Sequence, residues 1–115
     1  MNKISVLAID LGGESGRVIK MDFDGVKFYL EEIHRFPNLP VEASGTTYWD
    51  VLSLWREIQS GIAKSSSVNS LGVDSWGVDF ALLDCHGKLL SNPLHYRDKC
   101  SCLLYTSDAA DDVRG

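Results

Sequence analysis

The first third of the chain consists of apolar runs separated by short polar or glycine-containing breaks. Residues 4–11 are almost continuously apolar and lead into two glycines, which is typical of a strand buried on both faces. Residues 19–23 alternate between apolar and polar side chains, which predicts a strand with one solvated face. The polar side chains of that alternation are Lys20 and Asp22.

A hairpin signal, Asp24-Gly25, separates this strand from the next run at residues 26–33. The dipeptide predicts a type I′ turn, because both central positions of that turn need positive φ. The alternation then changes phase toward Ile33, which predicts a bulge or a strand end near Glu32. We expect the three strands to form an antiparallel meander.

The middle of the chain changes from loop-like to helical spacing. Residues 37–47 hold two prolines, a Ser-Gly pair and few large apolar groups, which predicts a loop. Asp50 is a candidate helix N-cap, and the serines at 65–67 end the pattern that follows it. The apolar stripe of this predicted helix comprises Val51, Leu54, Trp55, Ile58 and Ile62.

A further apolar block, residues 71–83, is broken at Trp76-Gly77 and predicts two strands with a bend between them. Residues 84–87 predict a turn, and residues 88–90 a short returning strand. The predicted order is β-β-β-α-β-β, which differs from the βαβ repeat of a dinucleotide-binding fold.

Residues 102–115 show neither helical nor strand periodicity. Their sequence resembles a translated sequencing adapter, so we expect the domain to occupy residues 1–101 and the rest to lie outside it. A natural C-terminal tail is the alternative.

The composition excludes several classes of protein. The 115 residues are 44% hydrophobic and 23% charged, with a net charge of −5, as in a soluble domain without a nucleic-acid surface. Asp10 interrupts the N-terminal apolar run, and no run approaches the length of about 18 residues needed to cross a membrane, so we expect a cytoplasmic protein. Three cysteines without a CxxC pair favour neither a disulfide scaffold nor a zinc site.

The segment Asp-Leu-Gly-Gly-Glu-Ser-Gly-Arg at residues 10–17 is the first candidate site. A glycine-rich turn can present several backbone N–H groups to phosphate oxygens, while Ser15 adds a hydroxyl and Arg17 a positive charge. An acid beside phosphate, here Asp10, makes chemical sense through a divalent metal. The spacing matches neither a Walker A loop nor GxGxxG. A tight hairpin with a capped acid is the alternative.

Two further segments carry polar or aromatic groups at predicted strand ends. At residues 72–80, Gly77 would permit close approach of a ligand, and Trp76 offers a flat wall for a sugar, or else a core side chain. The His-Tyr-Arg-Asp segment at residues 95–98 suits substrate positioning, or else an exposed arginine–aspartate pair.

Together these segments resemble the N-terminal domain of the FGGY carbohydrate kinases. The resemblance spans about residues 5–99, and the Ser-Trp-Gly-Val-Asp-Phe block with the His-Arg-Phe element favours the branch that acts on L-rhamnulose. The segments that carry it are 8–17, 32–36, 49–51, 72–84 and 95–98.

The resemblance implies an α/β fold of the ribonuclease H-like, actin-type ATPase kind, present here as part of the N-terminal domain. It implies ATP and Mg²⁺ as cofactors, a small sugar as substrate, and no nucleic-acid or membrane partner. Asp10 would lie near Mg²⁺ without binding it directly, and Gly77 with Trp76 would contact the sugar. The residues implied to bind the ATP phosphates are Gly13, Glu14, Ser15, Gly16 and Arg17.

The sequence departs from the family in one respect that concerns catalysis. The family's general-base aspartate follows far downstream of residues 95–98, so we expect no catalytic residue and no kinase activity in this chain. The alternatives are another FGGY kinase for L-fuculose, xylulose or glycerol, a non-catalytic sugar- or nucleotide-binding protein of the actin fold, and a chain without a stable fold. The sequence does not indicate the oligomeric state.

Overall fold

Seven regular elements form within residues 3–98, the part of the chain that the computed structural model describes. They fall into two units, residues 3–39 with 52–76, and residues 40–51 with 77–98. The predicted boundary at residues 101 and 102 lies outside the described residues. In chain order the elements are β1 (Ile4–Leu11), β2 (Ser15–Phe23), β3 (Phe28–Pro37), β4 (Val41–Ala43), β5 (Thr46–Tyr48), α1 (Val51–Lys64) and β6 (Ser70–Asp74).

The first unit contains a four-stranded sheet in the order β3-β2-β1-β6. Strands β1, β2 and β3 are antiparallel neighbours, so the predicted meander is confirmed, and β6 runs parallel to β1. Val18 pairs with His34 and the next residue, Ile19, pairs with Glu32. Ile33 is therefore the extra residue of a bulge, at the place where the hydrophobic alternation changes phase.

The β2–β3 connection differs from the predicted type I′ turn. Residues 24–27 lie between the paired Phe23 and Phe28, and Gly25 has φ of 100° whereas Asp24 does not have positive φ. The Asp24 carboxylate instead accepts hydrogen bonds from the N–H groups of Val26 and Lys27, both at 2.8 Å. The side chain thus stabilises a longer loop than the two-residue turn.

The core of the first unit lies between the sheet and α1. Leu7, Ile9, Val18 and Phe36 come from the sheet, and Leu54 and Ile58 from the helix. Val18 shares its face of β2 with Lys20 and Asp22, whose side chains are only 14% and 20% exposed. The prediction that Lys20 and Asp22 form the solvated face is therefore wrong.

The second unit contains a short hairpin where the sequence predicted a loop. Strands β4 and β5 are antiparallel and are joined by Ser44 and Gly45, with φ of 52° and 79°. A type I′ turn requires two consecutive positive φ angles. The turn of this kind was predicted at residues 24–25, but these φ angles occur at residues 44–45 instead.

The later part of the apolar block is less regular than predicted. Residues 70–74 form β6, but residues 78–83 and 88–90 are not strands and contribute only a bridge between Leu83 and Leu89. The predicted turn between them is confirmed, with Gly87 at φ of 81° and its N–H donating to the Asp84 carbonyl at 3.0 Å.

Candidate functional site

The glycine-rich segment forms the β1–β2 hairpin, with residues 12–14 as its loop. The Gly12 N–H donates to the Ser15 carbonyl at 2.8 Å and closes the turn. Gly13 and Glu14 are exposed, and their N–H groups donate to no acceptor among residues 3–98. Exposed N–H groups that have no acceptor within the protein suit an anion such as phosphate.

Asp10 and Arg17 face each other across this hairpin as register partners. Arg17 Nη2 donates to Asp10 Oδ2 at 2.6 Å, and both side chains are about 40% exposed. This hydrogen bond raises the pKa of the Arg17 guanidinium, which stays positively charged next to the loop. Within residues 3–98 no three His, Cys, Asp or Glu side chains converge as metal ligands.

Gly16 has a packing role that the sequence did not reveal. It is buried in β2, and a Cβ atom there would lie 2.3 Å from the Phe36 ring. The absence of a side chain therefore lets Phe36 of β3 cover the start of β2.

Asn38, which the sequence reasoning missed, joins the end of β3 to the loop. It is only 2% exposed. Its Nδ2 donates to the Gly12 carbonyl at 2.7 Å, and its backbone N–H donates to the Glu14 carbonyl at 2.9 Å. This contact depends on the β2–β3 register, and Asn38 lies within the predicted loop of residues 37–47, so no local signal marked it.

Trp76 and Gly77, the predicted sugar contacts, have different surroundings. Trp76 is partly buried and packs against the core of the first unit. This agrees with the alternative hypothesis that Trp76 is a core side chain. Gly77 is exposed in the second unit, and a Cβ atom there would meet no atom within 4 Å.

A buried polar cluster dominates the second unit. Trp49 is fully buried, and its Nε1 donates to Asp79 Oδ2 at 2.6 Å. The His95 ring lies 4.1 Å from the Trp49 ring, and its Nδ1 accepts from the Arg97 N–H at 3.0 Å. Asp98 accepts from the Thr47 N–H at 2.7 Å. His95 and Asp98 are thus both buried. The alternative interpretation of this segment, an exposed Arg97–Asp98 pair, is therefore wrong for Asp98.

A cavity of about 360 Å³ lies beside this cluster in the same unit. Its walls are largely apolar and include Tyr48, Phe80 and Leu94, while Asp79 contributes a carboxylate. The second Asp79 oxygen, Oδ1, is buried without a hydrogen-bond partner among the described residues.

The environment of His95 predicts a pH dependence of stability. Burial lowers its pKa, and the attraction of Asp79 and Asp98 only partly opposes this. Because the unfolded chain takes up the proton more readily, stability is fully present above about pH 6.5 and decreases as the pH falls below that value. Urea unfolding of the wild type and of His95→Asn at pH 7 and 5.5 measures this. Equal losses of stability in the two proteins would contradict the assignment to His95.

The chain is similar to rhamnulokinases over most of its length. It is 45% identical over 100 residues to a rhamnulokinase of Bacteroides thetaiotaomicron, covering 84% of this chain and 21% of that protein. It is 44% identical over 96 residues to a rhamnulokinase of Halalkalibacterium halodurans, covering 80% of this chain and 20% of that protein. No family model matches. The chain thus spans about a fifth of the length of these relatives.

Solved structures show the same fold. A gluconate kinase from Lactobacillus acidophilus matches with a TM-score of 0.71 at 14% identity, covering 96% of this chain and 23% of that one. A ligand-bound xylulose kinase from the same organism matches with a TM-score of 0.65 at 16% identity, covering 94% of this chain and 22% of that one. The fold is the actin-like ATPase fold of sugar kinases, as predicted, and the predicted resemblance is confirmed. No helix among residues 3–98 is long and apolar enough to cross a membrane.

Proposed function

We propose that this chain, which aligns with rhamnulokinases over more than four fifths of its length, is part of a cytoplasmic kinase that transfers phosphate from ATP to the 1-hydroxyl of L-rhamnulose. The 45% identity over 100 residues carries the proposal. The exposed glycine loop with free N–H groups at Gly13 and Glu14 supports it, because a phosphoryl-transfer enzyme must hold a polyphosphate.

The residues of the β1–β2 hairpin suit the phosphate end of ATP. The N–H groups of Gly13 and Glu14 and the Ser15 hydroxyl are donors, and Arg17 supplies a positive charge that Asp10 holds in place. Mg²⁺, when bound, neutralises part of the phosphate charge, and Asp10 would hold it through water. Gly77, whose surroundings are open, would let the sugar approach the backbone.

The general base of the reaction is proposed to lie in a part of the protein outside this chain. The base takes the proton of the sugar hydroxyl, and the family resemblance places that aspartate downstream of residues 95–98. The aspartates of the second unit have structural roles instead: Asp79 holds the Trp49 indole through one oxygen, and Asp98 accepts from the Thr47 N–H. The chain alone is therefore proposed to be inactive.

A two-part activity assay tests the proposal. The 115-residue chain should release no ADP above background with ATP, Mg²⁺ and L-rhamnulose. A hybrid in which residues 3–98 replace the matching segment of the Bacteroides thetaiotaomicron rhamnulokinase should release ADP, because the remainder supplies the base. With L-fuculose or D-xylulose we expect kcat/KM to fall by a factor of about 10⁴, as when polar groups of a site cannot pair with a substrate hydroxyl.

The unmodified relative is the control for the hybrid. Turnover by the 115-residue chain alone would contradict the placement of the base. A soluble hybrid that prefers another ketose would contradict the substrate, and one inactive with every sugar would contradict the kinase function.

A further inference from the structure

We propose that Asn38 is a positioning residue that holds the glycine loop in its phosphate-binding conformation. This inference rests on the proposed function, since it assigns a further residue to the same phosphate site. Asn38 does not itself contact the phosphate in this proposal; it acts through the backbone of residues 12–14.

The hydrogen bonds of the loop show how it would act. The carbonyls of Gly12 and Glu14 accept from Asn38, at 2.7 and 2.9 Å, and the carbonyl of Ser15 accepts from Gly12. The N–H groups of Gly13 and Glu14, in contrast, have no acceptor among residues 3–98. Two of the three loop carbonyls thus have donors, while the N–H groups of Gly13 and Glu14 stay available, which is an arrangement that suits an anion.

The side-chain bond is the part of this arrangement that a substitution can remove. Without Nδ2, the Gly12 carbonyl loses its partner and the Gly12-Gly13 peptide becomes free to rotate. A carbonyl oxygen turned toward the mouth of the loop would repel phosphate. Glycines permit this rotation more than other residues do, so the loop depends on an external group to fix it.

Asn38 is well placed for this role. Ser15 pairs with Pro37 in the β2–β3 ladder, so the register of β3 brings the next residue beside the loop. Asn38 is 2% exposed, and a buried amide keeps its hydrogen bonds because water cannot compete for them.

Asn69 provides a matched control at the opposite end of β1. Its Oδ1 accepts from the Ser5 N–H at 2.8 Å, and its N–H donates to the Ser5 carbonyl at 2.7 Å. Like Asn38, it makes one side-chain and one backbone bond to the main chain, but away from the glycine loop. Asn69 is exposed and its side chain accepts rather than donates, so Asn69→Ala removes a side-chain bond to β1 without touching the phosphate site.

The test is a titration of the 115-residue chain with inorganic tripolyphosphate, followed through the backbone amide NMR signals of Gly13 and Glu14. We expect Asn38→Ala to weaken binding about fivefold, the effect of losing one ordinary hydrogen bond. Asn69→Ala should bind as the wild type does. Urea unfolding of both variants separates lost binding from lost stability.

Asn38→Asp is a second variant that keeps the shape of the side chain. Its carboxylate cannot donate to the Gly12 carbonyl and adds negative charge near the ligand, so we expect weaker binding than with Asn38→Ala. Wild-type affinity in either Asn38 variant would overturn the inference and leave the proposed function intact. A wild-type chain whose Gly13 and Glu14 signals do not respond to tripolyphosphate would overturn both the inference and the phosphate site.

Discussion

Replacement of Trp49 by alanine is expected to lower the free energy of unfolding by about 4 kcal/mol, as when a large buried aromatic side chain is truncated. Trp49 is 0% exposed and is the largest fully buried side chain among the described residues. The substitution leaves a cavity and also removes the Nε1 donor of Asp79, whose other oxygen already lacks a partner. Urea unfolding followed by circular dichroism measures the loss.

Two further variants separate packing from the hydrogen bond. Trp49→Phe keeps most of the apolar volume but removes Nε1, and we expect it to cost about 2 kcal/mol because it leaves a buried carboxylate without its donor. Trp55→Phe is the matched control, since Trp55 is 54% exposed. If Trp49→Phe costs no more than Trp55→Phe, the bond to Asp79 does not stabilise the second unit.

Gly61→Ala is expected to lower the free energy of unfolding by about 2 kcal/mol, although alanine favours a helix over glycine by about 1 kcal/mol. A Cβ atom at Gly61 would lie 2.5 Å from Val18 Cγ2 and 2.9 Å from Val18 Cβ. Both residues are buried where α1 crosses β2, so neither can move away without opening the core. Chemical denaturation of the wild type and the variant measures the difference.

A double-mutant cycle with Val18→Ala tests this cause. Removing the two Val18 methyl groups relieves the 2.5 Å contact but leaves Val18 Cβ at 2.9 Å, so Gly61→Ala should cost clearly less in that background than in the wild type. Ala63→Gly, at an exposed position of the same helix, measures the propensity difference alone. Costs that simply add in the double mutant would show that the clash is not the cause.

The elements that local patterns specify were predicted correctly. Strand β1, the meander and α1 follow from apolar spacing and from breaks at residues 12–13, 24–25 and 65–67. The β4–β5 hairpin was missed because each of its strands has only three residues, too few for a periodicity. The Ser44-Gly45 pair was the available signal, but two nearby prolines favoured a loop.

The covered face of β2 could not be predicted from alternation alone. The pattern distinguishes two faces, but only the packing of α1 decides which one is buried, and it covers Val18 rather than Ile19. Lys20 can lie on the buried face because its ammonium group donates to the Ser66 hydroxyl.

The candidate site shows the same division between local and non-local information. Residues 10–17 are contiguous, so their glycines, acid and arginine could be recognised together, and their assignment to phosphate binding stays a prediction. Asn38 contacts a loop 26 residues earlier, and Trp49 bonds to Asp79, 30 residues later, so both depend on contacts between distant chain segments. No pattern in a single sequence brings such residues together.

The parallel pairing of β1 with β6 has a consequence for the order in which the chain folds. The adjacent Ser5–Asn69 contact joins residues 64 positions apart, whereas the meander is held by neighbouring segments. Closing a long loop costs more entropy than forming a hairpin, so the meander is expected to form first.

During synthesis the same order follows from the sequence of the strands along the chain, since β3 is made before β6. Strand β3 ends at Pro37 and β6 ends at Asp74. At a synthesis rate of about 5–20 residues per second, β6 is completed about 2 to 7 s after β3, and until then the second edge of β1 has no partner strand. Throughout that interval the newly made chain presents an unpaired, largely apolar strand edge. An unpaired edge of this kind is a template on which another chain can add a strand.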